Sequence, residues 1–173
     1  MLEPGSGNIF LVGPMGVGKS TVGRRLAERT GRRFLDSDSE IERRTGVEID
    51  LIFEIEGEDG FRARETKVLD ELTARRNIVL ATGGGAVLAD ANREMLRDRG
   101  LVIYLRAPVA ALVKRTARDQ KRPLLQTADR EARIRELLEQ REPLYEVLAD
   151  FIIDTGEQSV RASLDDICQR LES

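Results

Sequence analysis

Five short apolar runs punctuate the chain: Ile9-Phe10-Leu11-Val12, Arg33-Phe34-Leu35, Ile78-Val79-Leu80-Ala81, Leu101-Val102-Ile103-Tyr104-Leu105 and Phe151-Ile152-Ile153. Most are apolar without alternation, the pattern of strands covered on both faces of a parallel sheet. Longer stretches of helical spacing lie between them and favour right-handed β-α-β crossovers. The spacing predicts a helix over 20–30, with Gly31 placed to cap it. In the last helix Leu164, Ile167, Cys168 and Leu171 recur at i, i+3, i+4 and i+7, so Cys168 is expected as a small core residue. Two segments interrupt the alternation. One, from about 37 to 76, is too long for a single crossover helix and carries Gly46, Gly57 and Gly60 as expected breaks. The other, from 114 to 126, is rich in cations and holds Pro123. Inserts of this kind often carry function, because ligands of α/β sheets bind beyond the carboxyl ends of the strands.

Composition narrows the chemistry. A chain of 173 residues suits one domain with a core that needs no staples. The formal charge of −3 argues against a dedicated binder of nucleic acid or anionic membrane. The chain has no histidine, which excludes His–metal sites, Ser–His triads and phosphohistidine relays. A general base must then be a carboxylate, a lysine, a tyrosine or the single thiol of Cys168. One cysteine allows no internal disulfide, so a reducing, cytoplasmic setting is expected. The first seven residues lack signal-peptide character, and no apolar run approaches the ~18 residues of a membrane span.

Gly13-Pro14-Met15-Gly16-Val17-Gly18-Lys19-Ser20 matches G-x-x-x-x-G-K-[ST] between an apolar strand and a helix. Glycines let backbone N–H groups curl around an anion, and the helix N-terminus adds partial positive charge. Lys19 is placed to reach β- and γ-phosphates, and the Ser20 hydroxyl to ligate Mg²⁺. The dinucleotide fingerprint fails, because its third glycine is missing and the Lys-Ser pair has no role in it. No Asn-Lys-x-Asp run is present to read guanine.

Four further blocks allow more than one reading. Asp36-Ser37-Asp38 follows the second strand, which puts both carboxylates near the phosphate loop. One could hold a metal-bound water and the other an acceptor hydroxyl, or the block could simply cap a helix. Thr82-Gly83-Gly84-Gly85 ends the third strand without the acid that many such proteins place there, which raises the value of Asp36. The glycines suit close approach of backbone to a ligand, or a flexible turn. Arg62 has Glu65 three residues on to orient it, or is a solvated surface arginine. The stretch 114–122 holds five cations and one acid, which fits a solvated face or a lid closing on ATP with an arginine in cis.

Together these blocks resemble shikimate kinase over nearly the whole chain. The carriers are Gly13 to Thr21, Asp36-Ser37-Asp38, Gly60-Phe61-Arg62, Thr82-Gly83-Gly84-Gly85, Lys121-Arg122-Pro123-Leu124-Leu125, and Arg141 with Pro143-Leu144-Tyr145. The resemblance implies a P-loop NTPase fold of the nucleoside-monophosphate-kinase type, with a five-stranded parallel sheet flanked by helices. It implies one kinase domain over 1–173, with a phosphate loop at 13–21, a substrate-binding insert at about 36–76 and a lid at about 114–126. The implied reaction is ATP-dependent phosphorylation of the 3-hydroxyl of shikimate.

Carried over residue by residue, Lys19, Asp38 and Arg122 are the catalytic groups. Gly16, Val17, Gly18, Lys19, Ser20, Thr21 and Arg122 hold ATP phosphates, with Arg115 and Gln158 near adenine. Asp38, Arg62, Gly83, Gly84, Gly85 and Arg141 hold shikimate, its carboxylate on the two arginines, and Phe53 and Phe61 wall the ring. Ser20 ligates Mg²⁺ and Asp36 acts through water. Glu142 departs from the Asn expected after the substrate arginine. The expected partners are ATP and shikimate, with neither nucleic acid nor membrane, for a monomer. A kinase of another hydroxy-acid or polyol such as gluconate, and a non-catalytic ATP-binding module, are the alternatives.

Overall fold

The computed structural model describes residues 7–117 and 129–173. Five strands, β1 (Ile9–Val12), β2 (Arg33–Asp36), β3 (Ile78–Ala81), β4 (Leu101–Arg106) and β5 (Phe151–Asp154), form one sheet in the order β2-β3-β1-β4-β5. Every pairing is parallel. Each apolar run is therefore a strand. Three of them, β2, β4 and β5, run one polar residue further than the apolar signal, to Asp36, Arg106 and Asp154. Arg106 and Asp154 pair across β4 and β5, with Nε to Oδ1 at 2.7 Å, which satisfies the polar ends of those two strands.

Helices α1 (Lys19–Thr30), α2 (Ser37–Thr45), α3 (Ile49–Thr73), α4 (Asp90–Arg99), α5 (Val109–Thr116), α6 (Arg130–Leu148) and α7 (Val160–Glu172) pack on the sheet or on one another. Side chains alternate along each strand. Ile9 and Leu11 of β1 enter one core with Leu26 of α1, Leu112 of α5 and Ile167 of α7. Phe10 and Val12 enter the other with Leu69 and Leu72 of α3, Leu96 of α4 and Tyr145 of α6. Two cores explain the unbroken apolar runs. Cys168 is only half-buried at the rim of the first core, less enclosed than its helical position suggests.

The insert after β2 breaks at two of its three glycines. Gly46 closes α2 with a left-handed φ of 75°. Gly57, at φ 75° and ψ 179°, joins two helical pieces within α3. Gly60 is helical. The turn is already made at Gly57, and one helical glycine costs only ~1 kcal/mol. Because all strands are parallel, the segments after β1, β2, β3 and β5 meet at one end of the sheet, where the candidate site lies.

Candidate functional site

A cavity of about 620 Å³ opens at that end. Its floor is the phosphate loop. Gly13, Gly16 and Gly18 have φ of 148°, 83° and 103°, which excludes side chains bearing a Cβ without strain. A Cβ on Gly13 would also lie 2.5 Å from the Leu105 carbonyl oxygen. The N-terminus of α1 has no side-chain cap and no acid in its first turn, so its N–H groups and dipole face the loop uncompensated. Lys19 Nζ donates to the Gly13 and Pro14 carbonyls at 2.5 and 2.9 Å. Gly16, Val17, Gly18, Lys19, Ser20 and Thr21 all line the cavity.

Asp36 caps its helix and also reaches the phosphate loop. Its Oδ1 accepts from Ser39 N–H at 3.1 Å and caps α2, while Oδ2 accepts from the Ser20 hydroxyl at 2.6 Å. A single carboxylate starts the helix that carries Asp38 and holds the loop serine. Among the described residues no cluster of three or more His, Cys, Asp or Glu could hold a metal ion unaided. Ser20 and Asp36 are hard oxygen donors, two from the protein. That suits a Mg²⁺ that arrives on phosphates and keeps its waters.

A second group of candidate residues converges on the turn after β3. Gly83, Gly84 and Gly85 are buried, so this turn is enclosed rather than loose. Thr82 fixes its start, with both the N–H (3.2 Å) and the hydroxyl (2.8 Å) donating to the Leu11 carbonyl of β1. The Ser37 hydroxyl accepts from Gly83 N–H, and the Tyr145 hydroxyl donates to Gly84 C=O at 2.5 Å. The missing side chains leave room for charged groups. A Cβ on Gly83 would lie 2.7 Å from Asp38 Oδ1 and 3.0 Å from Glu65 Oε2. One on Gly84 would lie 3.5 Å from Arg141 Nη1, and one on Gly85 2.6 Å from Arg62 Cζ.

Arg62 and Arg141 are enclosed rather than solvated. The Arg62 side chain is 20% exposed and Arg141 is 4% exposed, and each has an Nε–H without a hydrogen-bond acceptor among the described residues. Burial, against the nearby Tyr145, lowers the pKa of Arg141. Arg62 Nη1 donates to Glu65 Oε1 at 2.9 Å, and Glu65 is fully buried. Burial first, opposed by Arg62 and reinforced by Asp38, pushes the Glu65 carboxyl up to about 7. Phe53 and Phe61 stack 4.8 Å apart on the cavity wall beside this group.

Arg115 and Gln158 line the same cavity. Arg115 donates to the Val17 carbonyl (3.2 Å) and the Thr155 carbonyl (2.8 Å), and so ties α5 to the phosphate loop. Gln158 donates to the Asp154 carbonyl. Of the expected lid, Lys114–Thr116 are the end of α5; Arg122 and the rest of 118–126 lie outside the described residues. Met15, Thr155 and the enclosure of Glu65 escaped sequence reasoning. No spacing marks the first two, and burial of an acid has no signature in one sequence. Glu142, the departure noted above, accepts from the Tyr104 hydroxyl at 2.6 Å and anchors α6 to β4 one residue from Arg141.

Residues 15–172 match the family model described as Shikimate kinase. The chain is 57% identical over 164 residues to a shikimate kinase of Nitrosococcus oceani, covering 95% of this chain and 86% of that one. It is 60% identical over 154 residues to that of Acinetobacter baylyi, covering 89% and 86%. Among solved structures, shikimate kinase from Acinetobacter baumannii in complex with shikimate superposes with TM-score 0.93 at 55% identity, covering 95% of this chain and 92% of that one. A gluconokinase from Sinorhizobium meliloti, at TM-score 0.59, 20% identity and 98% of both chains, shares the fold alone. The P-loop NTPase fold and the relatives agree: this chain belongs to the shikimate kinase family.

Proposed function

We infer that this cavity carries out the family reaction, transfer of the ATP γ-phosphoryl group to the 3-hydroxyl of shikimate, and that the residues gathered in it divide the work as follows. The observation that carries the assignment is the convergence of Arg62, Arg141, Asp38 and the glycine turn on one side of a cavity floored by the phosphate loop. The loop N–H groups, the α1 N-terminus and Lys19 hold the phosphates. Arg115 and Gln158 flank the base. Arg62 and Arg141 grip the carboxylate of the acceptor, Gly83 to Gly85 give its backbone side, and Phe53 and Phe61 face the ring.

Asp38 orients the acceptor hydroxyl for in-line attack. The oxygen bonds to phosphorus as the bridge to ADP breaks, and the proton passes to Asp38. A free aspartate has a pKa of ~3.9, so this transfer comes late and positioning carries most of the acceleration. Ser20 would hold Mg²⁺ directly and Asp36 through water; the ion would neutralise charge on the β- and γ-oxygens. Arg122 is assigned to the γ-phosphate by family resemblance. Action as a monomer is part of the same reading. Among the described residues no helix is long and apolar enough to cross a membrane, and we assign a cytoplasmic setting on the reducing character of the composition.

ADP release from Mg·ATP tests the assignment. Turnover with shikimate but not with gluconate or AMP is expected. Turnover with gluconate alone would move the chain to another acceptor, and ATP binding without turnover on any acceptor would reduce it to a binding module.

A further inference from the structure

Glu65 is a puzzle within the cluster. Its carboxyl is fully enclosed, one oxygen is taken by Arg62, and Oε2 has no hydrogen-bond partner among the described residues. That orphan oxygen and Asp38 Oδ1 lie 3.0 and 2.7 Å from one point, the position a Gly83 Cβ would occupy. Two carboxylates therefore crowd one glycine inside the protein. The charges facing Glu65 are Arg62 from its own helix, Asp38 from α2 and Arg141 from α6, with the neutral Tyr145 also from α6. Glu58, the second partner of Arg62, is half exposed and screened by water.

Sharing of the arginines decides what happens on loading. Arg62 and Arg141 are the cations that face the enclosed Glu65 carboxylate. An acceptor bearing one carboxylate, docked on those arginines as assigned above, would draw on both and set a like charge near a carboxyl closed to water. A like charge is expensive beside a group held at low dielectric, and the usual escape is neutralisation of that group by proton binding. Glu65 is the enclosed group, with an oxygen that no described residue engages and that can take the proton. We propose that Glu65 takes up one proton from solvent each time a carboxylate-bearing acceptor docks on Arg62 and Arg141, and returns it when the acid leaves. The proposal rests on the placement of the acceptor carboxylate. It makes Glu65 a positioning and specificity residue, matching the site to a monoanion rather than to a neutral polyol.

The uptake is measurable against a quiet background. The chain has no histidine, and Cys168 lies across the sheet on α7. Calorimetric titration of the full chain with shikimate alone, without nucleotide, should be run at pH 7.5 in phosphate and in Tris. With a free carboxyl near 7, the two heats should differ by the equivalent of about 0.7 proton taken up per acid bound. The Kd should rise by up to about tenfold per pH unit above pH 7. Glu65→Gln, which keeps an oxygen for Arg62, should abolish both the exchange and the pH slope. The methyl ester of the acid should bind the wild-type chain without proton uptake. Equal heats in the two buffers for wild-type binding would overturn the proposal and leave the acceptor site standing. No binding of the acid at all would overturn the site assignment and the proposal with it. Undiminished exchange in Glu65→Gln would place the proton elsewhere and also overturn it.

Discussion

Gly85→Ala separates the acceptor site from the fold that carries it. Gly85 has φ −96° and ψ 7°, which any L-residue adopts, so the backbone needs no adjustment. The new methyl group would stand 2.6 Å from Arg62 Cζ and 2.7 Å from Nη1, well inside contact distance. What must give way is the tip of a flexible side chain. Stability should fall modestly: Gly→Ala at a compatible backbone gains ~0.4–1 kcal/mol, while the buried Glu65 carboxyl loses its hydrogen bond from Arg62 at a cost of about 1–3 kcal/mol. The thermal midpoint should fall by no more than about 8 °C. Acceptor binding should suffer as well. Withdrawing Arg62 removes a charge-assisted hydrogen bond to the carboxylate, worth ~1.5–3 kcal/mol. That predicts a rise of about ten- to a hundredfold in KM for shikimate, with KM for ATP unchanged. Steady-state ADP release with each substrate varied in turn measures both. A folded Gly85→Ala protein with wild-type KM for shikimate would refute the placement of Arg62 on the acceptor.

Asp38→Asn should lower kcat at least a hundredfold in the same assay while ATP affinity, read by nucleotide titration, stays within about twofold; wild-type turnover would remove Asp38 from the chemistry. Tyr145→Phe leaves the buried Gly84 carbonyl without its donor and should cost about 1–3 kcal/mol in urea unfolding, together with a higher KM for shikimate. Glu65 predicts a pH effect on stability. Its carboxyl is raised from 4.5 to about 7 on folding, so its stabilising contribution is complete below pH 4.5 and lost as pH rises through 7. Wild type should lose about 2 kcal/mol from this group between pH 5.5 and pH 8, whereas Glu65→Gln should not; parallel urea curves at the two pH values for both proteins would contradict it. Ser20→Ala should raise the Mg²⁺ concentration needed for half-maximal turnover by about tenfold or more, checked by metal titration at fixed ATP.

The sequence was most legible where a single residue type answers a single constraint. Strands enclosed on both faces must be apolar throughout, and all five runs became strands. The phosphate loop needs glycines at positive φ and a lysine beside a helix start, and the spacing alone exposes it. Legibility fell where one residue serves two partners. Asp36 looked like either a helix cap or a metal-side acid; one oxygen caps α2 and the other meets the Ser20 hydroxyl, a pairing no single spacing announces. It fell again where the meaning of a residue depends on what packs over it. Arg62 alone resembles any surface arginine, and only the closure of α3, α6 and the glycine turn around it gives it an enclosed charge. Gly60 looked like a break equal to Gly57, yet the turn needed only one of them. The three glycines after β3 could have been a loose turn. Their purpose emerged when Asp38, Glu65, Arg62 and Arg141 filled the space their side chains would have taken.

The Leu11 carbonyl, which receives both the N–H and the hydroxyl of Thr82, joins the phosphate loop to the glycine turn through one atom of β1. On the proposed assignment, the spacing between the phosphoryl donor and the backbone side of the acceptor pocket is thus inherited from the pairing register of two strands. Helices then deliver the groups assigned to the acceptor, Asp38 from α2, Arg62 from α3 and Arg141 from α6, onto a seam that does not depend on them. Such a division lets acceptor preference drift by substitution on the helices while the line of phosphoryl transfer stays fixed. It also means that a substitution loosening β1 against β3, far from any substrate atom, would blur the reaction for every acceptor alike.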